Sequence, residues 1–262
     1  YCRNVGKRRR WEFAIKNNQN ENKILSETYI WNFLKPWLKK SEAYIERKAI
    51  YTFKSAISRK WRKGRIFIAG DAAHLMPPFM GQGMCAGIRD ASNLAWKIVK
   101  CLKQNHSEKI LDSYQSERFP NAKEYIETTM RMGEFVNAIE STQITDNISS
   151  NQDGTKSMQS IKPKLGPGLG KNEDANRGII FPQLKMKNGM TFDDKFSKNL
   201  LLIVTPELKI KSKLSKYPTI IANEVVGLSN LLKSYNSKAI IIRPDRFIFQ
   251  SCNSVKNFGK FL

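Results

Sequence analysis

The stretch Gly64 to Ile98 reads GRIFIAGDAAHLMPPFMGQGMCAGIRDASNLAWKI, and its pattern changes twice along its length. Ile66, Phe67, Ile68 and Ala69 form an apolar run without alternation, which predicts a short strand buried on both faces. The run stops at Gly70-Asp71, where a small residue lets a ligand come close to the backbone and a carboxylate can accept hydrogen bonds from a polyol or ribose. Pro77, Pro78, Gly81 and Gly83 then predict a loop. From Met84 the spacing turns helical: Met84, Ile88, Ala91, Ala95, Ile98 and Leu102 lie along one face, while Arg89, Asn93, Lys97 and Lys100 lie mostly elsewhere. A glycine-rich loop that runs into a helix leaves free N–H groups at the helix start, a seat for negative charge.

Outward from this stretch the chain reads as α/β. Arg10 to Ile15 and Glu42 to Ile57 have strand character, the first with Trp11 and Phe13 on one face, the second with Ile45, Ala49, Tyr51 and Phe53. Between them Leu25, Tyr29, Ile30, Phe33 and Leu34 fall at helical spacing, and Pro36 predicts a stop near Lys35. Ser107 is a predicted N-cap for a long helix through Ile110, Leu111, Tyr114, Tyr125, Ile126 and Met130, with a kink or break at Pro120; His106 reads as a solvated loop residue. Residues 141–176, rich in Ser, Asn, Gly and Pro, read as a linker. Its Gly166-Pro167-Gly168-Leu169-Gly170 lacks the preceding strand, the following helix and the Gly-Lys-Ser/Thr of a phosphate loop. Strands are predicted at Leu200 to Val204, Thr219 to Ala222, Ala239 to Arg243 and Arg246 to Gln250, with a helix around Leu228 to Tyr235.

A chain of 262 residues that is 40% hydrophobic can bury a real core. Cys2, Cys85, Cys101 and Cys252 show no CxxC or zinc-ligand spacing, and with two histidines a metal site is not expected. No run is long and apolar enough to span a membrane, so the chain reads as soluble and cytoplasmic. The net charge of +22 raises the possibility of a polyanionic partner. The lysines are spread along the chain, however, with KRRR at Lys7 to Arg10 as the densest cluster, so neither nucleic acid nor membrane is the expected partner.

The ordered run GDAAH followed by MPPFMGQGMCAGIRDASNLAWK closely resembles the second flavin-binding motif of FAD-dependent aromatic hydroxylases, the single-component flavoprotein monooxygenases. It is most similar to the branch of 3-(3-hydroxyphenyl)propionate and phenol hydroxylases. RRRWEF at Arg8 to Phe13, YQSERFP at Tyr114 to Pro120 and IIIRPDRFIF at Ile240 to Phe249 extend the resemblance more loosely to both ends. The resemblance implies part of a substrate-binding β-sheet over residues 1–58 and the C-terminal part of a glutathione-reductase-like FAD-binding domain with long helices over 59–140. The linker of 141–176 and a thioredoxin-like C-terminal domain over 177–262 follow.

What the resemblance implies chemically is an oxidoreductase that uses FAD, NAD(P)H and O2 to hydroxylate a small aromatic substrate. Asp71 would bind the ribityl hydroxyls. Gly70, Gly81 and Gly83 would let the backbone pass close to the flavin ring, with Pro77 stiffening the loop. The amides of Met84 and Cys85 at the helix start would face the pyrimidine carbonyl, where reduced flavin carries its charge, and Gln82 is counted with them among the cofactor-binding residues. His74 is expected to hold the loop by hydrogen bonds more than to act as a base, and Asp90 to pair locally or with the segment leading to the long helix. No residue nominates itself as the catalytic base. The GxGxxG turn that should grip the ADP half of FAD is absent, so the chain resembles a C-terminal half whose partner would be the N-terminal half of the same protein. Two other readings remain open at this level: a polyketide- or ubiquinone-type hydroxylase, and a non-catalytic basic binding module on a degenerate flavin fold.

Overall fold

The structure is a computed structural model that describes residues 2–3, 6–15, 19–104, 107–138, 149–150, 156–157, 161–170, 172–185, 189–193, 200–208 and 217–253. His106 lies outside them. The chain divides into two compact units, residues 1–52 and 53–262.

In the first unit, β1 (Cys2–Arg3) pairs antiparallel with β2 (Arg9–Arg10). The strand expected over Arg10 to Ile15 ends at Arg10; the residues beyond it make no ladder, although Trp11 and Phe13 do stack on one side with centroids 6.4 Å apart. Two short helices follow, α1 (Glu21–Ile24) and α2 (Glu27–Leu34). Each opens on a side-chain cap, Asn20 accepting from the Lys23 amide and Ser26 from the Tyr29 amide, which satisfies amides that have no intrahelical partner. Helix α2 closes on Lys35, one residue before Pro36, as the proline predicts. Phe13 meets Phe33 of α2 edge-on at 4.4 Å.

The second unit carries the stretch quoted first. Of the strand predicted over Glu42 to Ile57, only β3 (Ala56–Ile57) is paired. Next come the hairpin β4 (Arg62–Lys63) with β5 (Ile66–Phe67), and β6 (His74–Leu75), which pairs with β3. The buried strand expected over Ile66 to Ala69 is therefore corrected. Its ladder stops at Phe67, and Ile66 is 71% exposed. A strand buried on both faces needs neighbours at its edges and cover on each side, and among the described residues a two-residue hairpin is all that pairs with it.

Two long helices form the body of this unit, α3 (Gln82–Gln104) and α4 (Lys109–Ala138). The Lys109 amide donates to the Ser107 hydroxyl, so the predicted capping residue is in place. Helix α4 runs through Pro120 without the break that the proline predicted. Nearby, the Gly166 amide donates to the Glu117 carbonyl, tying the following segment to this turn from outside.

Helix α3 is inverted relative to its sequence pattern. Its apolar face is outside, with Met84, Ile88, Val99 and Leu102 at 75%, 60%, 46% and 80% exposure. Its buried residues are Ala86, Asp90, Asn93, Trp96 and Lys97, three of them polar or charged. A surface helix ordinarily turns its apolar stripe to the core. Here the polar face is inward because Asp90, Asn93 and Lys97 each meet a partner from α4 or beyond, described below.

Residues 161–170 and 172–180, read in part as linker, are a packed strap. Leu165 is buried, its amide bonded to the Gly178 carbonyl, and a Cβ at Gly168 would strike the Glu117 side chain. Before the strap, β7 (Ser149–Ser150) pairs antiparallel with β8 (Lys156–Ser157); after it comes a sheet of order β10-β9-β11-β12, built from β9 (Leu201–Val204), β10 (Thr219–Ile221), β11 (Ala239–Ile242) and β12 (Ile248–Cys252). Strands β9 and β10 are parallel; β11 is antiparallel to both β9 and β12. Helix α5 (Leu228–Ser234) connects β10 to β11. Alternate residues of β9 and β11 enter two different cores. Leu201, Ile203, Ile240 and Ile242 pack with Leu228 and Leu232 of α5, whereas Leu202, Val204, Ala239 and Ile241 pack with Phe249 and Leu169 of the strap. Cover on both faces accounts for the unbroken apolar runs, and each fully buried aliphatic side chain contributes about 1.5–3 kcal/mol.

Candidate functional site

The site grows from the end of β5. The Ile68 carbonyl accepts from the Tyr114 hydroxyl at 3.0 Å, anchoring the chain to α4 just before it turns at Gly70 to Ala72. Gly70 has φ of +57° and faces Gly87 of α3, where an added Cβ would lie 3.3 Å from the Gly70 Cα. Close approach keeps Gly87 small, and the left-handed backbone favours glycine at Gly70. Asp71 follows, exposed, with no hydrogen bond or ion pair among the described residues. It does not cap the turn that contains it. Its carboxylate is available to a ligand.

The loop is held from below by Asp90. One carboxylate oxygen accepts from the Gly70 amide at 3.0 Å and lies 2.7 Å from His74 Nε2; the other accepts from Arg118 Nε at 2.7 Å. His74, Asp90 and Arg118 are all buried. Burial pushes the Asp90 carboxyl up, but the hydrogen bond from His74 and the charge of Arg118 outweigh it and hold the group below its ordinary range. His74 thus carries its proton on Nε2 toward the carboxylate, and its buried Nδ1 has no partner. The geometry assigns it the loop-holding part.

Further along, Pro77 is buried and residues 78–80 make a single tight turn closed by Gly81 at φ +61°, whose amide donates to the Pro78 carbonyl. The left-handed conformation there favours glycine and swings the chain into α3. Phe79 sits against Gly133 of α4, where a side chain would collide with its ring. Helix α3 starts at Gln82, so Gly83, Met84 and Cys85 occupy its first turn, and among the described residues no side-chain oxygen caps their amides. A free carboxylate at Asp71 and an uncapped helix start after Gly81 are therefore carried on one loop. That donor and acceptor set fits a ligand with hydroxyls at one point and a delocalised negative charge at another. Gly70, Asp71, Pro77, Gly81, Gln82, Gly83, Met84 and Cys85 all lie on this loop and helix start.

A second buried cluster explains the outlying motifs. Glu117 of YQSERFP accepts from Lys97 of NLAWK at 2.8 Å and from both Nη atoms of Arg243 of IIIRPDRFIF at 2.8 Å. Asp245 takes two further bonds from Arg243, and Asn93 donates to both Glu117 and Asp245. Arg177 of the strap lies 3.6 Å from Glu117, and the Leu169 amide donates to it at 2.8 Å. Burial would raise the Glu117 carboxyl, but Arg243 and Lys97 drive it far below the ordinary range. Lys97 moves down to about 8, chiefly because burial disfavours its charge, only partly offset by Glu117. Read one at a time, these residues gave no signal; the signal available was that Asn93, Lys97, Glu117, Arg243 and Asp245 each fall inside a stretch carrying the family resemblance, whereas Arg177 does not.

Comparison with known proteins agrees with this geometry. Residues 8–129 match the family described as "FAD binding domain". The chain is 30% identical over 272 residues to the "Probable NADH-specific resorcinol 4-hydroxylase" of Rhodococcus jostii, covering 94% of this chain and 51% of that protein. It is 27% identical over 290 residues to a 3-(3-hydroxy-phenyl)propionate/3-hydroxycinnamic acid hydroxylase of Klebsiella pneumoniae, covering 92% and 52%. Among solved structures, aklavinone-11 hydroxylase in complex with FAD and aklavinone superposes with a TM-score of 0.53 at 19% identity, over 76% of this chain and 42% of that one. The rebeccamycin biosynthetic enzyme RebC gives a TM-score of 0.55 at 17% identity, over 78% and 43%. The chain spans about half the length of these relatives. These matches show a chain similar to FAD-dependent aromatic hydroxylases over most of its length, with residues 8–129 matching the FAD binding domain family.

Proposed function

We propose that this chain contributes the flavin-ring end of the site in an NAD(P)H- and O2-using FAD monooxygenase that hydroxylates a small phenolic substrate. The observation that carries this reading is the exposed, unpartnered Asp71 carboxylate on the same loop as the uncapped α3 start. Bound FAD supplies the transfer of reducing equivalents from nicotinamide to oxygen. Asp71 accepts hydrogen bonds from the ribityl hydroxyls. The amides of Gly83, Met84 and Cys85 stabilise negative charge on the pyrimidine side of the ring, with Gly81 and Gln82 bringing the backbone up to it and Pro77 bracing the loop. Asp90, through Gly70 and His74, fixes where Asp71 stands. The phenolic class of substrate is supported by the two relatives named for resorcinol and for 3-(3-hydroxy-phenyl)propionate. The test uses a protein of the relatives' length: resorcinol or 3-(3-hydroxyphenyl)propionate should accelerate NADH oxidation with matching O2 uptake and a hydroxylated product by mass spectrometry. Absence of bound flavin in that protein would sink the reading.

The finer domain division belongs to the same proposal. Residues 1–58 are read as part of a substrate-binding sheet, 59–140 as FAD domain, 141–176 as connection and 177–262 as a thioredoxin-like domain. Support for the last comes from a four-stranded sheet whose first pair is parallel and whose remaining pairs are antiparallel, with α5 on one face. An N-terminal half of the same protein is proposed as the partner that covers the outward apolar face of α3 and the exposed Ile66. The coverage of only about half of each relative, and the lack of a GxGxxG turn, support it.

A further inference from the structure

A cavity of about 170 Å³ lies where α3, α4, the strap and the C-terminal sheet meet, and its wall includes Arg89, Lys162, Tyr125, Ile180 and Phe247. Among Gly70, Asp71, Gly81, Gln82 and Gly83, only Gln82 lines it, so it stands apart from the cofactor loop. Its charges are uncompensated. Arg62, Arg118, Arg177 and Arg243 each lie within 4 Å of a carboxylate. Arg89 meets no carboxylate among the described residues. Its guanidinium lies 5.1 Å above the Tyr125 ring and reaches only the Gln82 side-chain oxygen, at 3.4 Å from each Nη. The Lys162 ammonium and the Tyr125 hydroxyl likewise have no hydrogen-bond or ion-pair partner among the described residues. Two donors without acceptors, and a guanidinium whose one acceptor is a neutral amide, therefore line one small space whose remaining wall is Ile161, Pro163, Ile180 and Phe247 with the side-chain amides of Gln82 and Asn121.

A half-buried guanidinium held only by a neutral amide and a ring face is a strong receptor for a planar oxyanion, since its fork matches a carboxylate. The volume limits the rest of the occupant. Ordinary ligand clefts run to about 300–1,000 Å³, and a dry cavity of about 150 Å³ accepts one benzene ring. We propose that this cavity binds a small aromatic carboxylate, its carboxylate on Arg89 and Lys162 and its single ring against the apolar wall. This site does not depend on the proposed flavin chemistry, and nothing in its wall other than Gln82 is shared with it.

The experiment is a 19F NMR titration of the 262-residue chain with 4-fluorobenzoate, set beside the neutral 4-fluorobenzyl alcohol. The acid should bind saturably, be displaced by unlabelled benzoate, and bind at least about tenfold more tightly than the alcohol. Arg89→Gln should weaken the acid by about tenfold or more, and Lys162→Gln, an exposed position where folding is not at stake, by several-fold. Equal binding of acid and alcohol, or unchanged binding in Lys162→Gln together with a folded Arg89→Gln, would overturn the proposal. Displacement by inorganic phosphate as effectively as by benzoate would overturn the aromatic part and leave a plain anion site.

Discussion

Asp71 and Asp90 are nineteen residues apart in sequence and opposite in character. Asp71 is exposed and has no partner, whereas Asp90 is buried and takes bonds from a backbone amide, an imidazole and a guanidinium. Their substitutions should separate cleanly. In a protein of the relatives' length, Asp71→Asn should cost a charge-assisted hydrogen bond of about 1.5–3 kcal/mol, lowering FAD affinity about ten- to a hundredfold without moving the melting temperature. Fluorescence titration of the apoprotein, alongside calorimetry, reads both quantities, and a lowered melting temperature would mean Asp71 is structural. Asp90→Asn should instead destabilise the fold by about 3–5 kcal/mol, because Arg118 is left as an unpaired buried charge, visible as a fall in the urea midpoint. The pH dependence has a definite sign. A carboxyl held below its ordinary pKa contributes stability that is present above the unfolded value of about 3.9 and is lost as pH falls through the lower folded value, so Asp90 and Glu117 both act on the acid limb.

Among the elements, α3 is the least expected from its own sequence. The apolar spacing of Met84, Ile88, Ala91, Ala95 and Leu102 gives the helix correctly, yet says nothing of which side is inward. The inward side is decided by Glu117, which is on α4, and by Arg243 and Asp245, which are on the turn after β11. Lys97 pays for this position in desolvation. Its folded pKa of about 8 lies below the unfolded value of about 10.4. The unfolded chain therefore binds more protons between those two values, and stability should rise with pH there by about 1 kcal/mol per unit. Urea unfolding at pH 8 and pH 9.5 should show this rise in the parent chain and not in Lys97→Met. An identical rise in both would locate the effect in another group.

For the molecule as a whole, the outward apolar face of α3 is a conspicuous exposed surface among the described residues, and Ile66 adds to the exposed apolar area. Proteins without a partner rarely leave so continuous an apolar stripe in water. The 262-residue chain should accordingly self-associate, and Ile88→Lys with Leu102→Lys should suppress that association, read by light scattering, without lowering its melting temperature. The same chain, with no glycine-rich strand-to-helix turn for the pyrophosphate, should purify without stoichiometric flavin absorbance, and co-production with the N-terminal half of a relative-length protein should restore it. Stoichiometric FAD in the chain alone would show that the adenosine end is gripped in another way.

The residue pattern by itself located the loop from Gly70 to Gly83, the helix that follows it and the C-terminal strands along the chain, because glycine turns, proline stops and unbroken apolar runs are local constraints that each segment carries alone. It also determined that α2 ends before Pro36 and that α4 begins just after Ser107. The tertiary structure alone decided the rest. Pairing of Ile68 and Ala69 and of residues 42–55 depends on neighbours those segments do not contain, so strand propensity did not become ladder. Asp90, Lys97, Glu117, Arg243 and Asp245 look like ordinary surface charges in sequence. They are buried only because a charge is tolerated inside a protein when its partners arrive together, and here those partners come from positions up to 152 residues apart.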